Sequence, residues 1–113
     1  MTSMAQTQHK NLADGKWQKF TLMEQMGNIG SEVSRASRWQ GKEDGLFQGA
    51  VGRALELFDL TIRDVRWKKR LKEVMRAREV FCDAISGGRA YHSKLKEIEP
   101  YFFHFALAAR KNR

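Results

Sequence analysis

Apolar residues recur at alternating spacings of four and three over most of this chain, which is the spacing that lines one face of an α-helix. The clearest stripe consists of Leu22, Met26, Ile29, Val33 and Ala36. No long run of alternating apolar and polar residues predicts a strand, and the chain contains a single proline, Pro100. The sequence therefore predicts an all-α protein.

The first predicted helix begins after Thr21 and ends near Trp39. Thr21 and Glu24 have the spacing of a capping box, in which each side chain accepts a hydrogen bond from the backbone of the other residue. A row of small residues runs beside the apolar stripe and consists of Gly27, Gly30, Ser34 and Ser37. Small side chains let another helix approach closely, so we expect tight packing within the chain here, with a subunit contact or a ligand cleft as the alternatives.

Two further helices are predicted in the middle of the chain. The second runs from about Asp44 to Thr61 or Asp64, and its wide apolar surface suits a central helix buried against more than one neighbour. Asp64 is expected to cap the third helix, which ends at the glycine pair 87–88. The expected inner face of the third helix consists of Trp67, Leu71, Val74, Met75, Phe81, Cys82 and Ile85.

Arg78 lies close to this inner face, one turn from both Val74 and Cys82. A partly buried guanidinium group needs an anionic partner, and Glu56 and Asp59 on the second helix are the candidates. Cys82 is the only cysteine, so no intramolecular disulfide can form and a cytoplasmic protein is expected.

A fourth helical segment follows and is interrupted by Pro100. Because proline is tolerated in the first turn of a helix but breaks its interior, we expect a short helical turn over residues 93–98 and the main helix from Pro100 onward. The main helix is apolar nearly all round, whereas the terminal helix of a small domain should have a face in water. We therefore expect a homo-oligomer whose subunits meet through Tyr101, Phe102 and Phe105.

Four amphipathic helices with short connections pack most simply as an antiparallel four-helix bundle. We expect one such domain over residues 19–113, preceded by a flexible N-terminal tail over residues 1–18. Residues 1–15 lack the apolar core of a secretory signal, and no apolar run approaches the length that spans a membrane.

The charge balance predicts a polyanionic partner. The 21 Lys and Arg residues exceed the 13 Asp and Glu residues, which gives a formal net charge of +8. The densest cations lie at the start of the third helix, where Lys68, Lys72 and Arg76 are four residues apart and form a ridge on one face. The predicted nucleic-acid-binding residues are Arg66, Trp67, Lys68, Lys69, Arg70, Lys72 and Arg76. The cations would contact phosphates and Trp67 would stack on a base; alternatively, Trp67 belongs to the core and the cations only solvate the helix.

The residue patterns give little support for catalysis. The chain has neither of the glycine-rich phosphate loops that follow a strand, and its acidic residues lack the Glu-x-x-His pairs of di-iron bundles. One cysteine and three scattered histidines do not have the spacing of a zinc site. We expect no enzyme activity, no catalytic residue, no metal and no cofactor.

Four segments resemble those of small bacterial four-helix-bundle proteins: QMGNIGSEVSRA at 25–36, RALELFDLTI at 53–62, LKEVMRAREVFCD at 71–83 and YFFHFALAAR at 101–110. The architecture is similar to that of proteins encoded by ribosomal-RNA intervening sequences and of the accessory variability proteins of diversity-generating retroelements. The second resemblance implies a basic homo-oligomer, pentameric in the family, that engages a reverse transcriptase and nucleic acid.

The chain also resembles the small helical domains paired with minimal nucleotidyltransferases, some of which are ribonucleases. Their Arg-x(4–6)-His signature is not met, because only two residues separate Arg89 from His92. The leading prediction is therefore an oligomeric nucleic-acid-binding accessory protein, for RNA or DNA. The alternatives are a protein–protein interaction module that does not bind nucleic acid, such as the helical partner of a nucleotidyltransferase, and a ribonuclease-like helical toxin.

Overall fold

A computed structural model describes residues 15–88 and 92–111. Its four α-helices are α1 (Leu22–Trp39), α2 (Asp44–Ile62), α3 (Leu71–Ile85) and α4 (Leu95–Lys111). Two 3-10 segments accompany them, an N-terminal one at Trp17–Lys19 and a connecting one at Val65–Arg70. The described residues contain no strand, so the all-α prediction is confirmed.

Consecutive helices run in opposite directions. The start of α1 meets the end of α2, where the Trp17 indole N–H donates to Thr61 Oγ1 at 3.0 Å. Along the other side of α1, Gly27 faces Ala106 and Gly30 faces Phe102 of α4. The antiparallel four-helix bundle is confirmed, with α1 between α2 and α4; α2 also contacts α3, as expected for a helix with two neighbours.

The capping box at the start of α1 is present in both directions. The backbone N–H of Glu24 donates to Thr21 Oγ1 at 3.1 Å, and the backbone N–H of Thr21 donates to Glu24 Oε1 at 2.8 Å. These bonds satisfy two of the donors that a helix N-terminus leaves without a helical partner.

Aromatic rings join the helices in the core. Phe58 of α2 is fully buried, and its ring centroid lies 5.8 Å from that of Phe81 on α3 and 6.0 Å from that of Phe102 on α4. Aromatic pairs at such separations add to the stabilisation that burial alone supplies. Phe58 therefore links its own helix, α2, to α3 and α4.

The row of small residues on α1 packs within the chain, as expected. A Cβ atom built on Gly30 would lie 2.5 Å from Phe102 Cβ, and one built on Gly27 would lie 3.1 Å from Ala106 Cα. The two glycines therefore allow α1 and α4 to approach at a distance that side chains would prevent.

The core begins earlier in the sequence than expected. Trp17, which was assigned to the tail, is only 1% exposed and is hydrogen-bonded to Thr61. The proposed boundary after residue 18 therefore cuts through residues that pack in the bundle. Residues 1–14 of the predicted tail lie outside the described residues.

The expectation that Pro100 separates two helices is wrong, since α4 is continuous from Leu95 to Lys111. Pro100 lies just past the first turn. Because proline has no backbone N–H, the helix loses one backbone hydrogen bond there, and because its side chain is exposed, no core packing is lost. Burial of Leu95 on one side of the proline and Phe102 on the other holds both parts of the helix against the core.

The inner face of α3 is partly as predicted. Val74, Phe81 and the neighbouring alanines are buried, whereas Met75 is 46% exposed. Arg78 donates from Nε to Asp59 Oδ1 at 3.1 Å, which confirms one of its two candidate partners.

Candidate nucleic-acid interface

The connecting 3-10 segment carries most of the predicted binding residues and is not part of a continuous third helix. Asp64 caps it, accepting a hydrogen bond at Oδ1 from the backbone N–H of Arg66 at 3.1 Å. Trp67 has non-helical dihedral angles, with φ −101° and ψ 20°, which kinks the chain before α3. Because a 3-10 turn has three residues rather than 3.6, Lys68 does not continue the row of Lys72 and Arg76, and the predicted ridge spaced by four residues is interrupted.

Arg66 holds three parts of the chain together. Its Nη2 donates to Asp64 Oδ2 at 2.7 Å and to the backbone carbonyl of Phe20 at 2.8 Å, and its Nε donates to Asp64 Oδ1 at 3.0 Å. Its Cζ lies 4.4 Å from the centroid of the Trp67 ring. The guanidinium group holds the pKa of the nearly buried Asp64 carboxyl below its usual range, and the carboxylate raises the pKa of Arg66 in turn. The Nε and Nη2 donors of Arg66 are therefore used in the fold.

Trp67 is also committed to the fold. Its indole N–H donates to Gln25 Oε1 at 2.8 Å, and one face of its ring is covered by Arg66. Gln25 is fully buried, and its Nε2 donates to the Trp17 carbonyl at 2.9 Å and to Asp64 Oδ2 at 3.2 Å. The structure therefore places the predicted base-stacking residue, partly buried, in a hydrogen-bonded network.

The remaining predicted cations differ in how free they are. Arg70 donates to Glu73 Oε1 from Nε at 3.0 Å and from Nη2 at 2.6 Å, so a carboxylate offsets its charge. Arg76 is exposed and borders a groove between α3 and α4. Lys68, Lys69 and Lys72 are exposed, and none of the three forms an ion pair within the described residues.

The fold adds further cations to these lysines. The bond from Arg66 to Phe20 fixes the N-terminal segment beside the connecting segment, and the antiparallel topology brings the ends of α2 and α4 to the same end of the bundle. Arg110 borders the same depression as Phe20. We call this surface the basic end and define it by the exposed cations Lys16, Lys19, Arg63, Lys68, Lys69, Lys72, Arg110 and Lys111.

Acidic groups at the basic end are engaged in local contacts. Glu24 accepts in the capping box, Asp64 is held by Arg66, and Glu73 is held by Arg70. The opposite end is mixed in charge, because Arg38 and Lys42 lie there with acidic residues at 43, 44 and 83. Among the described residues, the exposed positive charge is therefore concentrated at one end of the bundle.

The sequence analysis identified Lys68, Lys69 and Lys72 but not their combination with the other cations of the basic end. The structure adds residues 16, 19, 110 and 111, which lie at the same end of the single chain. Arg63 was missed altogether. Nothing in the local sequence shows that the N-terminal segment folds back on the start of α3, because this contact depends on the long-range bond between Arg66 and the Phe20 carbonyl.

The predicted oligomer contacts on α4 need a correction. Phe102 is 2% exposed and Phe105 is 8% exposed, because both pack in the core of their own chain. Tyr101 is partly exposed and donates from its hydroxyl to Glu73 Oε2 at 3.3 Å; burial, followed by the charge of Glu73, raises its pKa to about 12. The large apolar side chains that α4 presents to solvent are those of Phe103 and Leu107.

The groove between α3 and α4 has a volume of about 410 Å³, and its lining is mainly apolar around Ala77, Val80 and Ile98. Within residues 15–88 and 92–111, no group of three His, Cys, Asp or Glu side chains is placed to hold a metal ion. None of the helices described is both long enough and apolar enough to cross a membrane.

Comparisons of the chain with protein-family models, with curated proteins and with solved structures find no match.

Proposed function

We propose that this protein binds nucleic acid through the basic end and acts as an oligomeric accessory protein in the cytoplasm. The observation that supports binding is that exposed, mostly unpaired cations lie together at one end of the bundle. They come from both 3-10 segments, the start of α3 and the ends of α2 and α4. A rigid cluster of this kind suits a phosphate backbone, because each ammonium group that meets a phosphate releases a condensed counterion.

The geometry favours binding to phosphates rather than to bases. Lysine offers a compact charge that phosphates attract, and phosphate contacts give affinity without sequence preference. One face of Trp67 is covered by Arg66 and its indole N–H is bonded to Gln25, which leaves less of the ring available for the stacking contact expected from the sequence. RNA and duplex DNA of different sequences should therefore bind with similar affinities at equal salt.

The accessory role rests on the resemblance to the accessory proteins of diversity-generating retroelements. On this proposal the basic end holds the nucleic acid while another surface of the bundle meets a reverse transcriptase. Since no family model matches the chain, this part of the proposal depends on the resemblance in architecture alone.

The test replaces Lys68, Lys69 and Lys72 together with glutamine, which removes three charges and keeps similar side-chain volume. Binding of labelled RNA and duplex DNA is titrated over a series of salt concentrations. For duplex DNA, the slope of log K against log salt should become shallower by about 3, because each phosphate contact contributes about 0.9. Far-ultraviolet circular dichroism should remain unchanged, since all three side chains are exposed.

Two controls separate charge at the basic end from charge in general. Replacing the same three lysines with arginine should preserve the salt dependence. Replacing Arg38, Lys42 and Lys96, which lie at the opposite end, with glutamine removes the same charge and should leave the slope nearly unchanged. An equal loss in both glutamine variants would contradict a localised interface.

The wild-type titration also discriminates between the classes of function. No binding at low salt would overturn the proposal and favour a protein–protein interaction module. Binding accompanied by loss of intact RNA would favour a ribonuclease instead.

A further inference from the structure

One face of α4 exposes apolar side chains that the bundle does not cover. Phe103 is 56% exposed and Leu107 is 41% exposed, and they are one helical turn apart. Such a pair on the terminal helix of a small domain leaves apolar area in water, which packing against another helix would remove.

Charged residues of opposite sign flank this face. Glu99 is one turn before Phe103, and Arg110 is nearly one turn after Leu107, so that all four side chains share one side of the helix. Neither Glu99 nor Arg110 forms an ion pair in the described part of the chain. The helix therefore presents an apolar centre with an unpaired negative charge on one side and an unpaired positive charge on the other.

This pattern is complementary to itself when two copies of the helix run antiparallel. With the two-fold axis between Phe103 and Leu107, Glu99 of each copy faces Arg110 of the other, and the apolar side chains meet at the centre. A parallel pairing would place Glu99 against Glu99 and Arg110 against Arg110, which is repulsive. A depression of about 110 Å³ beside Phe103, bounded by Ser31 and Ser34 of α1, leaves space for the edge of the opposing helix.

We propose that a second copy of this chain docks on this face, with the two α4 helices antiparallel and packed through Phe103 and Leu107. The docking replaces the predicted contact through Phe102 and Phe105, which are buried within the chain. It places the two basic ends at opposite ends of the dimer, and it does not depend on nucleic-acid binding.

Sedimentation equilibrium of the full chain over a range of concentrations tests this proposal. Wild type should show a monomer–dimer equilibrium, and Phe103→Glu should raise the dimer dissociation constant at least about tenfold, as loss of a central apolar contact does. Leu46→Glu is the matched control, because Leu46 is 51% exposed on α2, outside the proposed face, and its replacement should leave the equilibrium unchanged.

A charge exchange tests the orientation of the two copies. Glu99→Lys and Arg110→Glu should each weaken the dimer several-fold, since each puts like charges together twice in the symmetric pair. The double variant should restore the wild-type dissociation constant. A monomer at all concentrations, an assembly larger than a dimer, or a dimer that Phe103→Glu leaves intact would each overturn the proposal.

Discussion

Replacing Gly30 with alanine is expected to lower the free energy of unfolding by about 2 kcal/mol or more. The new Cβ atom would lie 2.5 Å from Phe102 Cβ, well inside contact distance, and Phe102 is itself 2% exposed. The Cβ of Phe102 cannot move by rotating its side chain, so the backbones of α1 and α4 must separate. This separation disturbs the packing of Phe102 on Phe58, and its cost exceeds the gain of about 1 kcal/mol in helix propensity.

Two other glycines in helices provide the controls. At Gly49 an added Cβ would meet only the guanidinium group of Arg53, at 3.4 Å, and that flexible side chain can move aside. Gly49→Ala should therefore raise the free energy of unfolding by about 0.5 to 1 kcal/mol. The free energy of unfolding of Gly27→Ala should lie between those of the Gly30 and Gly49 variants, because Ala106 Cα lies 3.1 Å from the added Cβ atom. Urea unfolding followed by circular dichroism measures all three; equal stability of the Gly30 and Gly49 variants would contradict close packing at Gly30.

The elements that sequence predicted well depend on local patterns. The capping box of Thr21 and Glu24 involves residues three positions apart, so its geometry follows from spacing alone. Asp64 is a cap as expected, but the element that it caps is the connecting 3-10 segment and not α3. The row containing Gly27 and Gly30 was correctly expected to pack within the chain. The sequence did not identify its partner, because any of the other helices could have supplied the facing residues.

The phase of α4 could not be determined from the sequence. Residues 101–109 are apolar on nearly every side, so the helical period does not distinguish buried from exposed positions. The structure buries Phe102 and Phe105 and exposes Phe103, because the closest approach of α1 at Gly30 sets the rotation of α4. For this reason the sequence analysis assigned Phe102 and Phe105, which are buried within the chain, to the oligomer contact.

The sequence predicted which lysines of the candidate site are exposed, but not which of its residues are hydrogen-bonded within the fold. Lys68, Lys69 and Lys72 are exposed, as a binding surface requires, whereas Arg66 and Trp67 are used in the fold. A local pattern of cations around a tryptophan does not reveal a buried glutamine elsewhere in the chain. Trp67 donates a hydrogen bond to Gln25, which is 42 positions earlier in the sequence, and this long-range bond ties the tryptophan to the fold.

Replacing Asp64 is expected to produce the second large loss of stability. Asp64 is 5% exposed and accepts hydrogen bonds from the Arg66 backbone, the Arg66 side chain and Gln25 Nε2. Asp64→Ala removes a cap and several charge-assisted bonds at once, so the free energy of unfolding should fall by about 3 kcal/mol. Asp64→Asn retains an oxygen for the cap but places an amide N–H₂ group opposite donors of Arg66 and Gln25. We expect it to lower the free energy of unfolding by less than Asp64→Ala does.

The contribution of Asp64 should depend on pH in a defined direction. Arg66 lowers the folded-state pKa of this carboxyl below the usual value of 3.8 that applies in the unfolded chain. A depressed pKa contributes stability that is fully present above the unfolded value and is lost as pH falls through the folded value. The difference in stability between wild type and Asp64→Asn should therefore be constant from neutral pH to about pH 5 and should shrink below about pH 4.

Urea unfolding of wild type and both variants at several pH values checks this expectation. Asp59→Asn is the matched control, because Asp59 also pairs with an arginine, Arg78, but is 49% exposed. A pair that water screens contributes at most about 1 kcal/mol, so this variant should be nearly as stable as wild type at neutral pH. An Asp64→Asn loss no larger than that of Asp59→Asn, or one that persists undiminished in acid, would show that the Asp64–Arg66 pair does not hold the two 3-10 segments together.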